Sequence, residues 1–245
     1  MPTKVFWHSE EFRRWAKERA VELTMKVDLV SLSSLAPTWM TDNESISRPD
    51  GQFFKVVGVN ISRSGGREIS GWGQPMISQP SGFVALIRWF GNADIRTNEV
   101  LVRLFPEPGN KGIEIDGVNT RVLVGPPIQF SPGNLENHQK ALRGECDKNG
   151  NPYRSVPFAS VALETKPEWA VYVDWENAVE DGGRFFEKLN RYGTILVRSR
   201  DVVESEILST GQPENFAWIS LSALRDLRRL GYLNGHMHSL MSLLI

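Results

Sequence analysis

A single cysteine, Cys146, stands in the 245 residues, so no internal disulfide can form. A lone thiol of this kind suits a reducing compartment, and a cytoplasmic chain is expected. Histidine is also scarce. His236 and His238 stand two apart, but with His8, His138 and Cys146 scattered elsewhere no spacing matches a usual zinc framework, and no metal site is expected. Charge of one sign forms no long block: 28 basic against 29 acidic residues leave a net charge of -1, without the basic footprint a nucleic-acid partner needs. No apolar run approaches the roughly 20 residues of a membrane span, and the charged N-terminal stretch leaves no room for the apolar core of a secretory leader. Neither nucleic acid nor membrane is expected as a partner. GxGxxG, Walker A and GxSxG peptides are all missing, which weakens dinucleotide, ATP and hydrolase-triad readings.

What is present describes a globular chain. Hydrophobic residues make up 40%, with eight Trp and twelve Phe, enough to build a buried core. Ser9, Glu10 and Glu11 ahead of Phe12, Trp15 and Ala16 predict a helix capped by Ser9 and ending near Val21. Phe53 to Ile61 and Gly66 to Ser70 read as a hairpin, and Phe83 to Phe90 and Val100 to Phe105 as strands. Asp116-Gly117 predicts a two-residue turn between Ile113–Ile115 and Val118–Val124. Ser131 to Pro157 reads as a long surface excursion. Trp169–Trp175 and Thr194–Ser199 resume the strand pattern, with a turn and a short helix between them over Glu180 to Asn190. Ser220 caps a helix carrying Leu221, Leu224, Leu227 and Leu230 that Gly231 closes, and Met237 to Ile245 reads as a last short helix. Hairpin turns outnumber helical crossovers, so the expected fold is α+β, a mixed or mostly antiparallel sheet with flanking helices.

Several turn peptides carry polar groups. Trp72 and Gln74 in Gly71–Pro75 would stack on and read a ligand, or Trp72 would anchor the core beneath a turn. Glu107 and Asn110 in Glu107-Pro108-Gly109-Asn110 would be presented at a strand end, or the peptide is a plain type II turn. Gly125–Gln129 and Pro132-Gly133-Asn134 are rigid turns, each with an amide, Gln129 and Asn134. Glu180–Phe185 joins two carboxylates, two glycines and Arg184, whose fork suits a diphosphate or a surface ion pair.

Taken in order, FF at Phe53–Phe54, WGQP at Trp72, QPSG at Gln79, EPGN at Glu107, GPPIQ at Gly125, EDGGRF at Glu180 and FAWISLSAL at Phe216 resemble the NDP-hexose 2,3-dehydratase family. The likeness covers about residues 45 to 245. It implies a Nudix-like domain over 45–245 preceded by a helix and lead-in over 1–44. It also implies removal of the C2 hydroxyl from a TDP-linked 4-keto-6-deoxyhexose, with neither metal nor redox cofactor. Family members look like two tandem copies of the domain and this chain carries one, so a homodimer is expected. Glu107 and Glu180 match the family peptides as candidate base and acid, and Arg184 as a stabiliser of diphosphate or enolate. Trp72, Gln74, Asn110, Gln129, Asn134 and Asn190 are the candidate pocket residues. Three positions depart from the family pattern: Phe105 where Lys is expected, Val179 where Ser is usual, and His238 where Arg is typical. They point to a different sugar, or to an inert sugar-nucleotide-binding subunit as the alternative. A Nudix-type hydrolase is the other alternative, but Arg67-Glu68-Ile69 continues without the paired glutamates its magnesium site needs.

Overall fold

The computed structural model describes residues 3–51, 53–62, 71–89, 91, 98–147, 149–153, 155–163, 166–208 and 211–242. In chain order, β1 (Lys4–Phe6) and α1 (Ser9–Leu23) lead to β2 (Met40–Thr41), β3 (Ser45–Ser47), β4 (Lys55–Ile61) and β5 (Trp72–Ser78). There follow β6 (Phe83–Trp89), β7 (Glu99–Pro106), β8 (Glu114–Ile115), β9 (Val118–Asn119), β10 (Val122–Gly125), β11 (Ile128–Phe130) and α2 (Pro132–Leu142). The chain continues through α3 (Ser160–Leu163), β12 (Ala170–Val179), β13 (Leu189–Val197), α4 (Asp201–Leu208), β14 (Phe216–Ser220), α5 (Leu221–Arg229) and α6 (Gly235–Met241). The fold is α+β.

Its main sheet is mixed and runs β1-β14-β7-β6-β13-β12, with β10 on β7 and β11 on β6. Side chains alternate between its faces, and both faces are covered. Val84, Leu86, Val100, Val102, Ala217 and Ile219 pack beneath α1, α5 and α6. Their neighbours Ala85, Ile87, Leu101, Phe216 and Trp218 pack on the other face against α3 and α4. Two-sided burial is why these strands read as continuous apolar runs. β1 and α1 belong to the same body: β1 pairs parallel with β14, and Phe12 and Trp15 are buried in the core. A smaller antiparallel sheet runs β2-β3-β4-β5.

Topology gathers one set of strand ends. β13 is parallel to β6, while β12 and β7 run antiparallel to β13 and β6. The starts of β6 and β13 and the ends of β7 and β12 therefore lie at one end of the sheet.

Several expectations hold. The Asp116-Gly117 turn has both residues at positive φ (50° and 79°) between β8 and β9. Ser220 Oγ accepts from Ala223 N, and Gly231 closes the helix at φ 74°. Others are corrected. Ser9 is the first residue of α1 and His8 its N-cap, which makes no side-chain capping bond. Trp72-Gly73-Gln74-Pro75 is strand, not turn, because β5 pairs along its length with β4 and its edge position tolerates Pro75. The expected strand at Gly66–Ser70 lies outside the described residues. Ser131 to Pro157 is on the surface but begins with α2, capped by a Ser131–Asn134 box with Pro132 at its start. No helix forms over residues 180–190: β12 and β13 are one long hairpin, in continuous register from Tyr172–Leu196 to Val179–Leu189, with a register shift between Ala170 and Tyr172. Glu107–Asn110 is a turn closed by Asn110 N to Glu107 O, but Gly109 does not take the positive φ that a type II turn requires.

Candidate functional site

A cavity of about 390 Å³ opens at the gathered strand ends, with Glu107, Glu180, Tyr192, Asn234 and His236 in its wall. Each polar side chain is held by a bond that also fixes its orientation. α6 starts the series: Met237 N donates to Asn234 Oδ1 at 2.9 Å, capping the helix and turning Asn234 Nδ2 the other way. Nδ2 donates to Gln129 Oε1 at 3.0 Å, so Gln129 Nε2 is left to donate to Glu107 Oε1 at 2.7 Å. Asn110 Nδ2 donates to Glu107 Oε2 at 2.8 Å across the turn. Both oxygens of Glu107 are thus hydrogen-bond acceptors from amides.

Backbone geometry supports this series. Asn234 N donates to Val124 O, and Val124 N to Tyr232 O, both at 2.9 Å, which binds the loop before α6 to β10. Gly125 lies beneath: a β-carbon there would come within 2.6 Å of the Phe105 ring and 2.8 Å of Asn234 Nδ2. Any side chain there would force Phe105 and Asn234 to move where Asn234 crosses β10.

Glu180 occupies the opposite wall. Gly82 N donates to Asn190 Oδ1 at 2.8 Å, which leaves Asn190 Nδ2 to donate to Glu180 Oε1. Tyr192 donates its hydroxyl proton to the same oxygen at 3.0 Å, and that hydroxyl lies 3.1 Å from His236 Nδ1. Burial, with the Glu180 charge behind it, pushes the Tyr192 phenol up to about 12, so it stays a donor. Burial holds the His236 imidazole below its ordinary value of 6.5; Glu180 and Glu107 oppose this shift and Lys188 adds to it. Lys188, itself buried and lowered by desolvation, donates to Gln79 Oε1 at 2.9 Å. The wall therefore carries the carboxylates of Glu107, Glu180 and Asp181, a phenol that donates and an imidazole favoured in its neutral form, a set able to move protons on a bound molecule. Among the described residues no three His, Cys, Asp or Glu side chains cluster as a metal site requires.

The sequence model of NDP-hexose 2,3-dehydratases matches residues 9–244. The chain belongs to the NDP-hexose 2,3-dehydratase family. A curated dTDP-4-dehydro-6-deoxy-α-D-glucopyranose 2,3-dehydratase from Saccharopolyspora spinosa is 28% identical over 217 residues, which are 88% of this chain and 37% of the relative. The chain thus spans little more than a third of that relative's length.

Of the candidate residues, Glu107 and Glu180 line this cavity, and Asn110, Gln129 and Asn190 stand behind them, hydrogen-bonded to their carboxylates. Arg184 does neither. Its exposed side chain pairs with Asp181 at 2.8 Å, while its carbonyl accepts from Ile77 N and ties the hairpin tip to β5. Among the described residues Gln74 makes only a 3.5 Å contact to Gly183 O at this same junction, and Trp72 is exposed at the start of β5. Asn134 caps α2, its Oδ1 accepting from Ser131 N at 2.9 Å, and it borders a separate cleft with Phe53 and Gln79. Of the three departures from the dehydratase pattern, Val179 lies in the cavity wall, Phe105 packs over Arg103 beside Gly125, and His238 sits along α6 near Arg228. Arg67-Glu68-Ile69, the peptide compared with a hydrolase motif, lies outside the described residues.

Three residues of the wall, Tyr192, Asn234 and His236, are not among those expected from the sequence. Tyr192 carries a signal, since it stands two residues from Asn190 on a strand and so shares its face. Asn234 carries one as well, as a capping residue before a short helix. His236 reads in the sequence only as half of a metal pair.

Proposed function

We propose that the chain is a carbon–oxygen lyase that removes the C2 hydroxyl of a TDP-linked 4-keto-6-deoxyhexose as water, leaving a 3,4-diketo-2,6-dideoxyhexose. The observation that carries this reading is the convergence of Glu107 and Glu180 on one cavity in a chain of this family. The substrate class follows the printed activity of the S. spinosa relative. The chemistry asks little else of the protein. A ketone at C4 acidifies the C3 proton, a base removes it, and the C2–O bond breaks with help from a proton. The resulting enol tautomerises to the diketone. Two carboxylates frame the cavity in which these transfers take place: Glu107, fixed by Asn110 and Gln129, and Glu180, bonded to Tyr192 beside His236.

A homodimer is the assembly we propose, with the exposed Leu29, Val30 and Leu32 offering apolar surface for a second copy. Sedimentation showing only a 27.6 kDa species at working concentration would contradict it. The inert sugar-nucleotide-binding reading keeps one supporting observation, Val179 in the cavity wall where the family carries Ser. Kinetics of Glu107→Gln and Glu180→Gln separate the two. A lyase loses turnover in both variants while the sugar nucleotide still raises the melting temperature. A binding subunit shows the same thermal shift in all forms and no turnover in any.

A further inference from the structure

The hydrogen bonds around Glu180 determine more than its position, and their catalytic meaning rests on the lyase reading. Tyr192 has one hydroxyl proton, and it is committed to Glu180 Oε1 at 3.0 Å. Toward His236 Nδ1, 3.1 Å away, the same hydroxyl can only accept. Nδ1 therefore carries the imidazole proton, and in the neutral ring the lone pair falls on Nε2. Nε2 makes no hydrogen bond among the described residues, and the ring lines the cavity.

We propose that His236 is a catalytic residue, the general base whose Nε2 takes the C3 proton, with Tyr192 and Glu180 as positioning residues that fix its tautomer. Burial supports this by keeping the ring neutral at rest, while the nearby carboxylates of Glu180 and Glu107 favour the imidazolium once it forms. Lys188 acts in the opposite sense, and Tyr192 stays an uncharged donor.

The step balances on one side chain. In a gluco-configured ring the C3 hydrogen and the C2 hydroxyl lie on the same face, so a single imidazole reaches both. The C3–H bond breaks, its proton goes to Nε2 and its electron pair becomes the C2–C3 double bond. The C2–O bond breaks, and the imidazolium returns the proton to the departing hydroxide, which leaves as water. His236 ends neutral, and no oxidant or reductant is consumed.

The test compares wild type, His236→Gln and Tyr192→Phe on TDP-4-keto-6-deoxyglucose, with melting curves to confirm folding. His236→Gln is expected to lose about 10² to 10⁴-fold in kcat while KM stays near the wild-type value. Tyr192→Phe, which frees the tautomer without removing the base, is expected to lose about tenfold in kcat, with a displaced acid limb in its pH profile. A His236→Gln variant within about threefold of wild-type kcat overturns the assignment, as does a pH profile of Tyr192→Phe that superimposes on wild type. If wild type itself forms no dehydrated sugar, the lyase reading fails and the assignment with it. An active wild type beside an equally active His236→Gln removes the assignment alone.

Discussion

Adding one methyl group at Gly125 tests the bond series behind Glu107 without touching any polar atom in it. An alanine Cβ would sit 2.6 Å from Phe105 Cδ2 and 2.8 Å from Asn234 Nδ2. Ordinary contact begins near 3.4 Å, so both side chains must retreat by more than half an ångström. Overpacking of this kind costs about 1–3 kcal/mol, which for a chain of this length lowers the melting temperature by roughly 2–12 °C. Asn234 cannot retreat freely, because the same side chain caps α6 and donates to Gln129 at 3.0 Å. Losing that bond and loosening Gln129 on Glu107 removes about 1–1.5 kcal/mol of organisation, or about tenfold in kcat. Thermal melts and turnover of Gly125→Ala are read beside two graded controls. At Gly82 the new Cβ would meet Phe130 O at 3.1 Å and Asn190 Oδ1 at 3.3 Å, a milder conflict. At Gly235, the first residue of α6, nothing lies within 4 Å, and alanine there is expected to be neutral or to stabilise by about 0.4–1 kcal/mol. A Gly125→Ala protein that melts and turns over like wild type would refute the reasoning.

Arg184→Ala is expected to stay within about 0.5 kcal/mol of wild-type stability and within about threefold of its turnover, since among the described residues the exposed guanidinium pairs only with Asp181; a kinetic loss of a hundredfold would give Arg184 a direct role in the site. Ser220→Ala removes the cap of α5, which also donates to Trp7 O at 2.9 Å, and should cost about 0.5–2 kcal/mol in urea unfolding while turnover per folded molecule is unchanged. Acid should weaken both fold and activity. The folded imidazole of His236 titrates below 6.5, so as pH falls through that value the unfolded chain binds a proton that the folded one refuses, and stability drops until the folded group titrates too. The corresponding acid limb of kcat should lie below 6.5 in wild type and disappear in His236→Gln, as pH-rate profiles would show.

Much of the fold is legible because burial leaves a mark on sequence. Two-sided burial makes β6, β7 and β14 continuous apolar runs, and capping chemistry marks α5 at Ser220 and Gly231. α2 is not legible, since Ser131-Pro132-Gly133-Asn134 carries the residues of a turn as well as those of a helix start, and which prevails depends on the surrounding structure. β5 is obscured by Pro75, which only its edge position makes tolerable. The site divides along similar lines. Glu107, Gln129 and Glu180 sit in distinctive peptides, whereas Arg184 sits in one whose backbone, not its guanidinium, does the structural task of joining hairpin to small sheet. Tyr192 and His236 are 44 residues apart and meet only when the β12–β13 hairpin is brought against α6, a juxtaposition no local pattern encodes.

The most direct measurement is mass spectrometry of TDP-4-keto-6-deoxyglucose after incubation with the purified protein, beside an identical incubation with Glu107→Gln. Loss of one water and a trappable diketone with wild type, and much less of that product with the variant in the same time, is the predicted result. An unchanged sugar in both, or release of free TMP, would contradict it.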